Sequence, residues 1–385
     1  MAHTSTMSVL VTFRNLRRQA PQTMANLIRI SRAAAELGGT SGADRLEFVL
    51  IDDASDDGTP EVLAEKLPQL PNARIHVNEG NAGVGASRNT AMELADGDFL
   101  AFLDGDDFVD PSYHIRVLDA ITDLDCDFVR TDHVEVVGKE RTLRRIPDRN
   151  RSGRVGNPRD SITPAHLITA IDHPNVWAGA FHKSLAQQET ARFREDLQAS
   201  EDRWWTWQLF LGARSFSIPE PIGPHYRRDI PTSLSRVSDG RQLDSIVAMD
   251  AIIDLVAADP EAERFLPKAV RRHLEMGLHT LNESNRFSRS LASTFRKRLA
   301  DSLVSLPEPH LSQTLASLGP ERRQRLTTLM KSGTVRSRAE AGAVPRRESD
   351  QDDPVDTSTT ERTDDPAATP AGDQTKPRRG FRRNR

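Results

Sequence analysis

Three carboxylates occur within four residues at the end of the apolar run Phe99–Leu103. They are Asp104, Asp106 and Asp107. An apolar run of this length predicts a buried strand of a parallel sheet, and ligands of open α/β sheets bind beyond the carboxyl ends of such strands. Carboxylate oxygens are typical ligands of Mg²⁺ or Mn²⁺, which keep other positions for substrate phosphates. An acidic turn before the next helix explains the same residues without a metal, so both interpretations stand.

A second predicted strand, Leu46–Ile51, also ends in acids, at Asp52 and Asp53. The polar residues that follow lead to Pro60, and this spacing is typical of an N-cap before a helix. That explanation does not extend to Asp52 and Asp53, which lie at the strand end itself. A calcium-binding loop is rejected, because its twelfth position is Ala64 where an EF-hand requires glutamate, and a strand precedes it.

Glycines dominate the segment Gly80–Asn89, which follows a third predicted strand, Ala73–Val77. The spacing resembles a dinucleotide-binding fingerprint, but Arg88 stands where the third glycine should pack. The acids also precede these glycines, whereas the fingerprint needs an acid about twenty residues after them. A nicotinamide site is therefore disfavoured, and a tight turn at which the backbone approaches a ligand explains the glycines better. Arg88 then faces an anion or a base of the ligand, or forms a surface ion pair.

Composition limits the class of protein. The chain has 385 residues, a net charge of −4 and one cysteine, Cys126, so nothing global indicates nucleic acid as a partner. A single cysteine excludes a disulfide framework and cysteine-based zinc sites, and suits a reducing compartment. The start of the chain lacks the basic residues of a signal peptide, and no segment approaches the ~20 apolar residues of a membrane-spanning helix. A cytoplasmic protein is expected.

The elements that position these residues alternate regularly. Met7–Phe13 predicts a first buried strand and Gln22–Leu37 an amphipathic helix, and strands and helices continue to alternate up to Asp104. This order predicts right-handed crossovers and an α/β fold with a doubly wound, mostly parallel sheet. The loops that carry Asp52, Arg88 and Asp104 are then expected to converge at one edge of the sheet.

Three segments carry a resemblance to a known family. Asp52–Thr59, Asn81–Asn89 and Phe102–Asp107, in this order, resemble the motifs of the family 2 glycosyltransferases of GT-A fold. The resemblance implies an inverting transfer from a nucleotide-diphosphate sugar, with a UDP-sugar as the expected donor and Mn²⁺ or Mg²⁺ as the cofactor. It also implies that Asp106 contacts the divalent ion.

The same resemblance assigns the donor contacts. Asp52 would hold the nucleobase, Arg88 would contact the nucleotide, and Asp104 would lie on the ribose side. The first loop reads Thr12-Phe13-Arg14-Asn15 in place of the frequent Pro-x-Tyr-Asn form, so the family does not specify how it closes. The full set of expected donor-binding residues is Thr12, Phe13, Asn15, Asp52, Asp53, Gly83, Arg88, Asp104 and Arg227.

A pair of acids, Glu201 and Asp202, begins another predicted helix after Ser200. A serine N-cap followed by acids in the first turn explains this stretch structurally. The family resemblance implies more, because the second acid of such a pair resembles the catalytic base. Asp202 is therefore the expected base and Glu201 its supporting neighbour.

Aromatic residues provide candidate acceptor contacts. Three tryptophans follow within four residues of the same helix, so at least one of them should lie outside the core. Trp205 is one candidate, and Trp177 in the predicted strand Asn175–Phe181 is another, although a core position explains either residue.

Two further features of this half remain open. Leu143–Asn157, which follows a predicted strand at Asp127–Thr131, is a basic segment that we interpret as a solvated loop, with a lid or a track for an anionic acceptor as the alternative. His225 lies on a short predicted strand with Arg227. A structural role explains both, whereas the family resemblance implies a metal contact for His225 and a diphosphate contact for Arg227.

The remainder of the chain changes in character. Helical periodicity predicts helices at Leu243–Ala257, Glu261–Leu281, Ser288–Leu306 and Pro309–Met330, and a disordered tail follows. The basic end of this tail suits an anionic membrane surface, although plain solvation explains it equally. The expected organisation is a catalytic domain at 1–238 with a nucleotide-binding half, 1–110, and an acceptor-binding half, 111–238, then a helical region at 239–331 and a tail at 332–385.

The sequence thus predicts a metal-dependent, inverting glycosyltransferase that acts on a hydroxyl acceptor, with a cell-envelope glycan or wall polymer as the acceptor by analogy. A nucleotidyltransferase of similar fold is the alternative enzyme, but it needs a glycine-rich phosphate loop after the first strand, where Arg14, Arg17 and Arg18 have no accompanying glycine. A non-catalytic sugar-nucleotide or glycan-binding protein is the alternative of another class. Asp106 and Asp202 argue against it.

Overall fold

The computed structural model describes residues 4–37, 42–220, 222–227 and 238–335. The strands are β1 Met7–Phe13, β2 Leu46–Asp52, β3 Ala73–Val77, β4 Phe99–Asp104, β5 Phe128–Arg130, β6 His133–Val137, β7 Glu140–Arg144, β8 Gly179–His182, β9 Phe216–Ser217 and β10 His225–Arg227. The helices are α1 Ala20–Leu37, α2 Thr59–Lys66, α3 Val84–Leu94, α4 Tyr113–Leu124, α5 Lys183–Gln187, α6 Glu201–Gly212, α7 Asp244–Ala257, α8 Ala262–Glu283, α9 Arg289–Val304, α10 His310–Ser317 and α11 Pro320–Met330.

The central sheet has seven strands in the order β3-β2-β1-β4-β8-β5-β9. The strands β1 to β4 are mutually parallel, and only β8 runs antiparallel to its neighbours β4 and β5. The predicted fold class, an α/β protein with a doubly wound, mostly parallel sheet, is confirmed. The register places Phe13 opposite Asp52 and Thr12 opposite Asp104, so the ends of three strands meet at one edge.

The two faces of the sheet explain why the strands read as continuous apolar runs. In β4, Phe99, Ala101 and Leu103 pack into one core cluster while Leu100 and Phe102 pack into another. Successive side chains of a strand point to opposite faces, so a strand covered on both sides needs an apolar residue at every position.

A smaller sheet of three strands, in the order β10-β6-β7, lies within residues 133–227. The segment Leu143–Asn157 is not a single loop as predicted, because Leu143 and Arg144 belong to β7 and pair with β6. Further along the segment, the backbone of Gly156 pairs with Phe216 of β9. Backbone pairing at both ends therefore holds much of this basic segment in place.

The C-terminal helices α7 to α11 pack against the central sheet and α6 through a shared apolar cluster. The cluster that holds Phe102 and Trp205 continues through Ile253 of α7 to Leu299 of α9 and Leu326 of α11. The four helical regions are found, but the predicted helix Pro309–Met330 is two helices. The second begins at Pro320, in the first-turn position that proline favours.

No helix in the described ranges is long and apolar enough to cross a membrane. The prediction of a disordered tail and the basic end Lys376–Arg385 fall mostly on residues 336–385, which lie outside the described residues. The division into catalytic and helical domains stays a prediction.

Candidate active site

Asp52 ends β2 and is fully buried. Its Oδ1 accepts the backbone N–H of Ser55 at 2.8 Å, and its Oδ2 accepts the Ser55 hydroxyl at 2.7 Å. The carboxylate therefore closes the turn after its own strand. Both carboxylate oxygens of Asp52 are thus bound by one local partner, Ser55. The expected contact of Asp52 with the nucleobase stays a prediction.

Asp53 fastens the glycine segment to the end of β2. Its Oδ1 accepts the Asn78 side-chain amide and the Ala82 backbone N–H, both at 2.8 Å, and its Oδ2 accepts the Gly83 N–H at 2.9 Å. Gly83 has a φ of +91°, a conformation that residues with a Cβ rarely adopt. The predicted donor residues Asp53 and Gly83 thus form one unit, in which the acid shapes the turn that precedes α3.

The first loop, after β1, is fastened to the same turn. The Arg14 guanidinium donates to the backbone carbonyls of Asp53 and Ala54, and Asn15 N–H donates to the Ser55 hydroxyl at 2.9 Å. Phe13 is a core residue with 1% of its surface exposed, so its side chain packs inside the fold. The placement of Phe13 among the donor-binding residues stays a prediction, and Asn15 is exposed beside the strand ends.

Gly105 lies between the acids that follow β4, and its backbone touches the end of β1. A Cβ on Gly105 would stand 2.6 Å from Phe13 Cδ1 and 2.6 Å from the Thr12 carbonyl oxygen. Carbon and oxygen atoms do not approach so closely without displacement. Glycine at this position therefore allows β1 and β4 to end side by side, with Asp104 before it and Asp106 after it.

Arg88 is the central residue of the site, and its side chain lies inside the protein. It lies in α3 with 5% of its surface exposed, and its guanidinium donates to Asp104 at 2.8 Å and to Glu201 at 2.9 Å. The guanidinium carbon also lies 5.3 Å from the centroid of the Phe193 ring. Two carboxylates hold this planar group inside the protein, and the expected contact of Arg88 with the nucleotide stays a prediction. We call Arg88, Asp104 and Glu201 the arginine brace.

The arginine brace joins two elements that are far apart in the sequence. Asp104 ends β4 at the donor edge, and Glu201 is the first residue of α6. Gly85 lets α3 approach the segment before α6, because a Cβ there would lie 3.2 Å from the Arg194 carbonyl oxygen; it would also lie 3.7 Å from Glu201 Cγ at the start of α6. The brace places the expected base, Asp202, one residue from a fixed point.

Asp202 follows Glu201 in the first turn of α6 and is half-buried. Its Oδ1 accepts the backbone N–H of Arg203 at 2.8 Å. Burial raises the pKa of Asp202, although Arg203 and Arg88 oppose this shift. The predicted N-cap of α6 is wrong in detail, because Ser200 has a left-handed backbone and its side chain makes no capping hydrogen bond.

Charge is not balanced within this group. One guanidinium, Arg88, serves Asp104 and Glu201, and Asp202 lies next to them. Burial, followed by the negative charge of Asp202, raises the pKa of Glu201 to about 7, and Arg88 opposes the shift. Glu201 and Asp202 together therefore retain a proton close to neutral pH, as expected of groups that exchange protons during a reaction.

The acids after Gly105 have a different environment. Burial, with Asp104 next in importance, raises the pKa of Asp106 to about 6, and burial with Asp106 raises the pKa of Asp107 well above its usual value. The Arg227 backbone N–H donates to Asp107 at 3.2 Å. We call Asp106 and Asp107 the acid pair of the β4 loop.

Strand β10 contacts this loop through Phe108. The His225 ring stacks on Phe108 with centroids 4.9 Å apart, and the Arg227 guanidinium carbon lies 5.2 Å from the same ring centroid. The structure therefore brings His225 and Arg227 next to the acid pair of the β4 loop. The Nδ1 atom of His225 is buried without a hydrogen-bond partner in the described part of the chain.

The acid pair of the β4 loop fits a divalent cation held partly by substrate. Among the described residues, no group of three or more His, Cys, Asp or Glu side chains is placed to hold a metal. Mg²⁺ and Mn²⁺ are commonly bound through one or two carboxylates and the phosphates of a substrate. Asp106 offers such a carboxylate, and burial is the main cause of its raised pKa, which Arg227 opposes.

Both tryptophans expected at the acceptor are core residues. Trp205 is 1% exposed, lies between the rings of Phe102, Phe181 and Phe193, and donates its indole N–H to the Ala191 carbonyl. Trp177 is 5% exposed and contacts other aromatic rings. A buried indole offers no face to an acceptor sugar, so both expectations are wrong.

Of the three tryptophans in α6, only Trp204 is partly exposed, as the helical spacing predicted for at least one of them. The Arg194 guanidinium carbon lies 5.5 Å from its ring centroid.

Two supporting residues were missed by sequence reasoning. Asn89 fixes the segment before α6, because it donates to the Phe193 carbonyl and accepts the Phe193 N–H, both at 3.0 Å. Arg130 is 2% exposed, donates to the carbonyls of His173 and Asn175, and lies within electrostatic range of Asp202. Asn89 belongs to the motif that suggested the family, but nothing local in the sequence identifies Arg130.

The geometry of the strand ends agrees with a comparison of the sequence with protein families. The family model described as Glycosyl transferase family 2 matches residues 8–184. This part of the chain is therefore similar to the family 2 glycosyltransferases. The match includes β1, Asp52, Arg88 and the acids after β4, and it ends before Glu201 and Asp202.

The chain is also similar to curated proteins named as a glycosyltransferase and as a succinoglycan biosynthesis protein. The putative glycosyltransferase EpsH of Bacillus subtilis is 26% identical over 200 residues, which is 50% of this chain and 55% of EpsH. The chain thus spans about half the length of that relative. The succinoglycan biosynthesis protein ExoO of Rhizobium meliloti is 25% identical over 291 residues, covering 75% of this chain and 80% of ExoO.

A solved structure supports the fold of this chain. The crystal structure of residues 1–349 of TarS from Staphylococcus aureus is similar with a TM-score of 0.60 and 18% identity, covering 85% of this chain and 90% of that chain. TarS is named as a poly(ribitol-phosphate) β-N-acetylglucosaminyltransferase, and another structure of the same region contains UDP-GlcNAc. At this level of identity the likeness shows the GT-A fold.

Proposed function

We propose that this protein is an inverting glycosyltransferase that moves a sugar from a nucleotide-diphosphate donor to a hydroxyl acceptor. One observation carries the proposal: the arginine brace joins Asp104 at the donor edge to Glu201, the neighbour of the candidate base Asp202. An enzyme that joins two substrates needs its donor site and its base at a fixed separation. The brace supplies that connection through one buried residue.

The donor is expected at the edge formed by β1, β2 and β4. Asp52 and Asp53 shape the turns there, and the exposed Asn15 and the half-buried Thr12 face the same edge. A UDP-sugar is our preferred donor, because a structure of the similar protein TarS was solved with UDP-GlcNAc. The identity of the sugar does not follow from these residues.

A divalent cation, Mn²⁺ or Mg²⁺, is proposed at Asp106, and when bound it would offset the negative charge that develops on the departing diphosphate. Arg227 lies beside the same acid pair and would bind a diphosphate oxygen through its guanidinium. His225 stacks on Phe108 and would help position this loop.

The chemical step is a single displacement. The acceptor hydroxyl oxygen forms a bond to the anomeric carbon while the bond from that carbon to the diphosphate oxygen breaks. Asp202 accepts the hydroxyl proton, and the nucleoside diphosphate leaves with the bonding electron pair. Attack opposite the leaving group inverts the anomeric centre. Glu201 remains bound to Arg88 and fixes the position of the base.

The acceptor class is proposed from the relatives. ExoO is named for succinoglycan biosynthesis and TarS for transfer to poly(ribitol-phosphate), so a cell-envelope polysaccharide or wall polymer is the proposed acceptor. A cytoplasmic location and a membrane contact through the basic end Lys376–Arg385 remain predictions. The family 2 match favours a glycosyltransferase over a nucleotidyltransferase.

The test is a donor screen with the purified full chain. Common nucleotide sugars are incubated with and without Mn²⁺, and release of nucleoside diphosphate is measured, since donor hydrolysis does not require the unknown acceptor. We expect release from one donor, its loss in EDTA, and its recovery when Mn²⁺ is restored. Binding of a nucleotide sugar without any release, in wild type and Asp202→Asn alike, would identify a binding protein. Full release in EDTA would exclude the proposed metal.

A further inference from the structure

A loop in the second half of the catalytic region displays two large aliphatic side chains to solvent. Leu167 is 51% exposed and Ile168 is 64% exposed. They are adjacent in sequence and follow the exposed residue His166. A single exposed aliphatic residue is ordinary, but an adjacent pair at the tip of a loop is a local apolar surface that water does not favour.

Two cations on α8 hold this tip in place. The Lys268 ammonium is buried with no exposed surface, and it donates to the Leu167 carbonyl at 2.7 Å and to Asp172 at 2.6 Å. Arg272 donates to the same carbonyl at 3.3 Å, and its Nε forms an ion pair with the Asp172 carboxylate at 2.6 Å. Burying a lysine is costly, so this anchor indicates that the position of the exposed tip matters.

A cationic groove of about 480 Å³ adjoins the aliphatic pair. Its lining residues are His166, Ile168, Arg271, Arg272, Glu275, Leu278, His279, Asn282 and Arg322. Glu275 pairs with Arg271 and Arg272, so part of the positive charge is compensated. Arg322 on α11 is exposed, and no ion pair of its side chain occurs among the described residues. The groove therefore carries a net positive charge next to apolar side chains.

We propose that Leu167, Ile168 and this groove form a docking surface for an anionic lipid bilayer. The aliphatic pair would enter the boundary between headgroups and acyl chains, and Arg322 with its neighbours would bind the anionic headgroups. The combination selects a bilayer over a soluble anion, because a soluble anion gives the exposed aliphatic side chains nothing to bury them. This proposal is independent of the glycosyltransferase activity proposed above.

The docking surface is joined to the active site by a short segment. Asp172, which Lys268 and Arg272 bind, is followed by His173 and Asn175, whose carbonyls accept hydrogen bonds from Arg130. Arg130 lies within electrostatic range of Asp202. The bilayer contact and the candidate base thus belong to one continuous piece of the second half.

The experiment is sedimentation of the full chain with vesicles of phosphatidylcholine alone or with added phosphatidylglycerol, at physiological salt. The variants are Leu167→Ser/Ile168→Ser and Arg322→Glu. Matched controls are Leu37→Ser, which removes an aliphatic residue with 61% exposure elsewhere, and Arg29→Glu on exposed helix α1 surface. All variants keep the same C-terminal tail, so any binding by the tail is a constant background.

We expect the wild type to bind only the anionic vesicles. The double serine variant should lose at least about tenfold in partition coefficient, because two apolar side chains no longer enter the interface. Arg322→Glu should lose about fivefold or more, since one basic residue contributes roughly this factor near an anionic surface. Both controls should bind as the wild type, and melting temperatures should agree within a few degrees because the changed residues are exposed.

Three outcomes would overturn the proposal. Equal binding of the double serine variant and the wild type would show that the aliphatic pair does not enter a bilayer. Loss through Arg322→Glu alone, with no effect of the serine substitutions, would show that charge alone attracts the surface to the vesicles, without entry of the aliphatic pair into the bilayer. Failure of the wild type to bind anionic vesicles would exclude the surface altogether.

Discussion

Four carboxylates of the candidate active site fall into two groups that differ in how their charge is compensated. Asp104 and Glu201 share a buried arginine, Arg88, at 2.8 and 2.9 Å. Within the described part of the chain, no arginine forms an ion pair with Asp106 or Asp107, directly after Gly105, and burial raises the pKa of both. Arg88 compensates the charge of the carboxylates in the arginine brace, whereas the proposed partner of the acid pair of the β4 loop is a divalent cation.

This difference separates structural from chemical roles within one short motif. A carboxylate that is compensated inside the protein holds elements together, and its removal leaves the arginine unpaired. A carboxylate that is not compensated lowers the stability of the free protein and binds a cation when one arrives. The two groups should therefore respond to substitution with opposite changes in stability.

The largest effect is expected at Asp202, the residue positioned by the brace. Asp202→Asn keeps the shape of the side chain but cannot accept the acceptor proton, so kcat should fall by about 10²–10⁴-fold. Donor affinity should change little. Steady-state rates and donor binding by calorimetry measure the two quantities. Glu201→Gln is the control, with a smaller loss of rate. A near-normal rate for Asp202→Asn would assign the base to another acid.

The next effect is on stability, at Arg88. Arg88→Met leaves the buried Glu201 and the half-buried Asp104 without their cation, so the free energy of unfolding should decrease by about 3–5 kcal/mol. Urea titration of the metal-free protein measures this change. The triple variant Arg88→Met/Asp104→Asn/Glu201→Gln should recover much of the loss, because the uncompensated charges are gone. An unchanged stability of Arg88→Met would mean that the brace does not hold the fold together.

Asp106 should show the opposite sign. Asp106→Asn removes a carboxylate whose pKa is raised to about 6, so at pH 7 and without metal the protein should become more stable by about 1–2 kcal/mol. The same variant should lose the metal dependence of donor binding. Thermal melting with EDTA and with Mn²⁺ distinguishes the two effects. A destabilisation comparable to that of Arg88→Met would place Asp106 among the structural acids and end the comparison drawn here.

The smallest effect concerns pH. The pKa of Glu201 is raised from 4.5 to about 7, first by burial and then by Asp202. The proton that Glu201 and Asp202 share must therefore leave before Asp202 acts as a base. kcat/KM should therefore rise as the pH increases towards 7. Glu201→Gln should move this rise to lower pH, because the neighbouring negative charge is gone. A profile that does not move would mean that Glu201 does not influence the base.

Stability has the matching pH dependence. A carboxyl group whose folded pKa lies above its unfolded value stabilises the fold at pH below the unfolded value of 4.5. That contribution is lost as the pH rises through about 7. The free energy of unfolding should fall across this range in the wild type and less in Glu201→Gln, as urea titrations at several pH values would show.

Sequence reasoning succeeded where local pattern determines structure. The strands from Met7–Phe13 to Phe99–Asp104 were predicted within a residue or so, because each is an apolar run bounded by polar turns. The convergence of Asp52 and Asp104 at one edge followed from the parallel order alone. In the second half, the strand predicted at Asn175–Phe181 begins only at Gly179, because short strands carry little pattern.

The roles of individual side chains were harder to predict, because long-range contacts decide them. Arg88 contacts Glu201, which is 113 residues away, so nothing near it in the sequence indicates burial. Trp205 and Trp177 illustrate the same limit, since an aromatic residue reads alike whether it packs in the core or faces a sugar. Arg130 resembles any surface arginine until the fold encloses it.

Gly105 has a consequence for how this motif tolerates change. A Cβ there would lie 2.6 Å from two atoms at the end of β1, so every other amino acid should be rejected regardless of its charge or size. In a saturation mutagenesis experiment this residue, which has no functional group, should score as intolerant as the acids on either side. An Asp-Gly-Asp signature therefore combines two different constraints. The chemistry of the carboxylates restricts the two aspartates, and the close approach of the β1 backbone restricts the glycine between them.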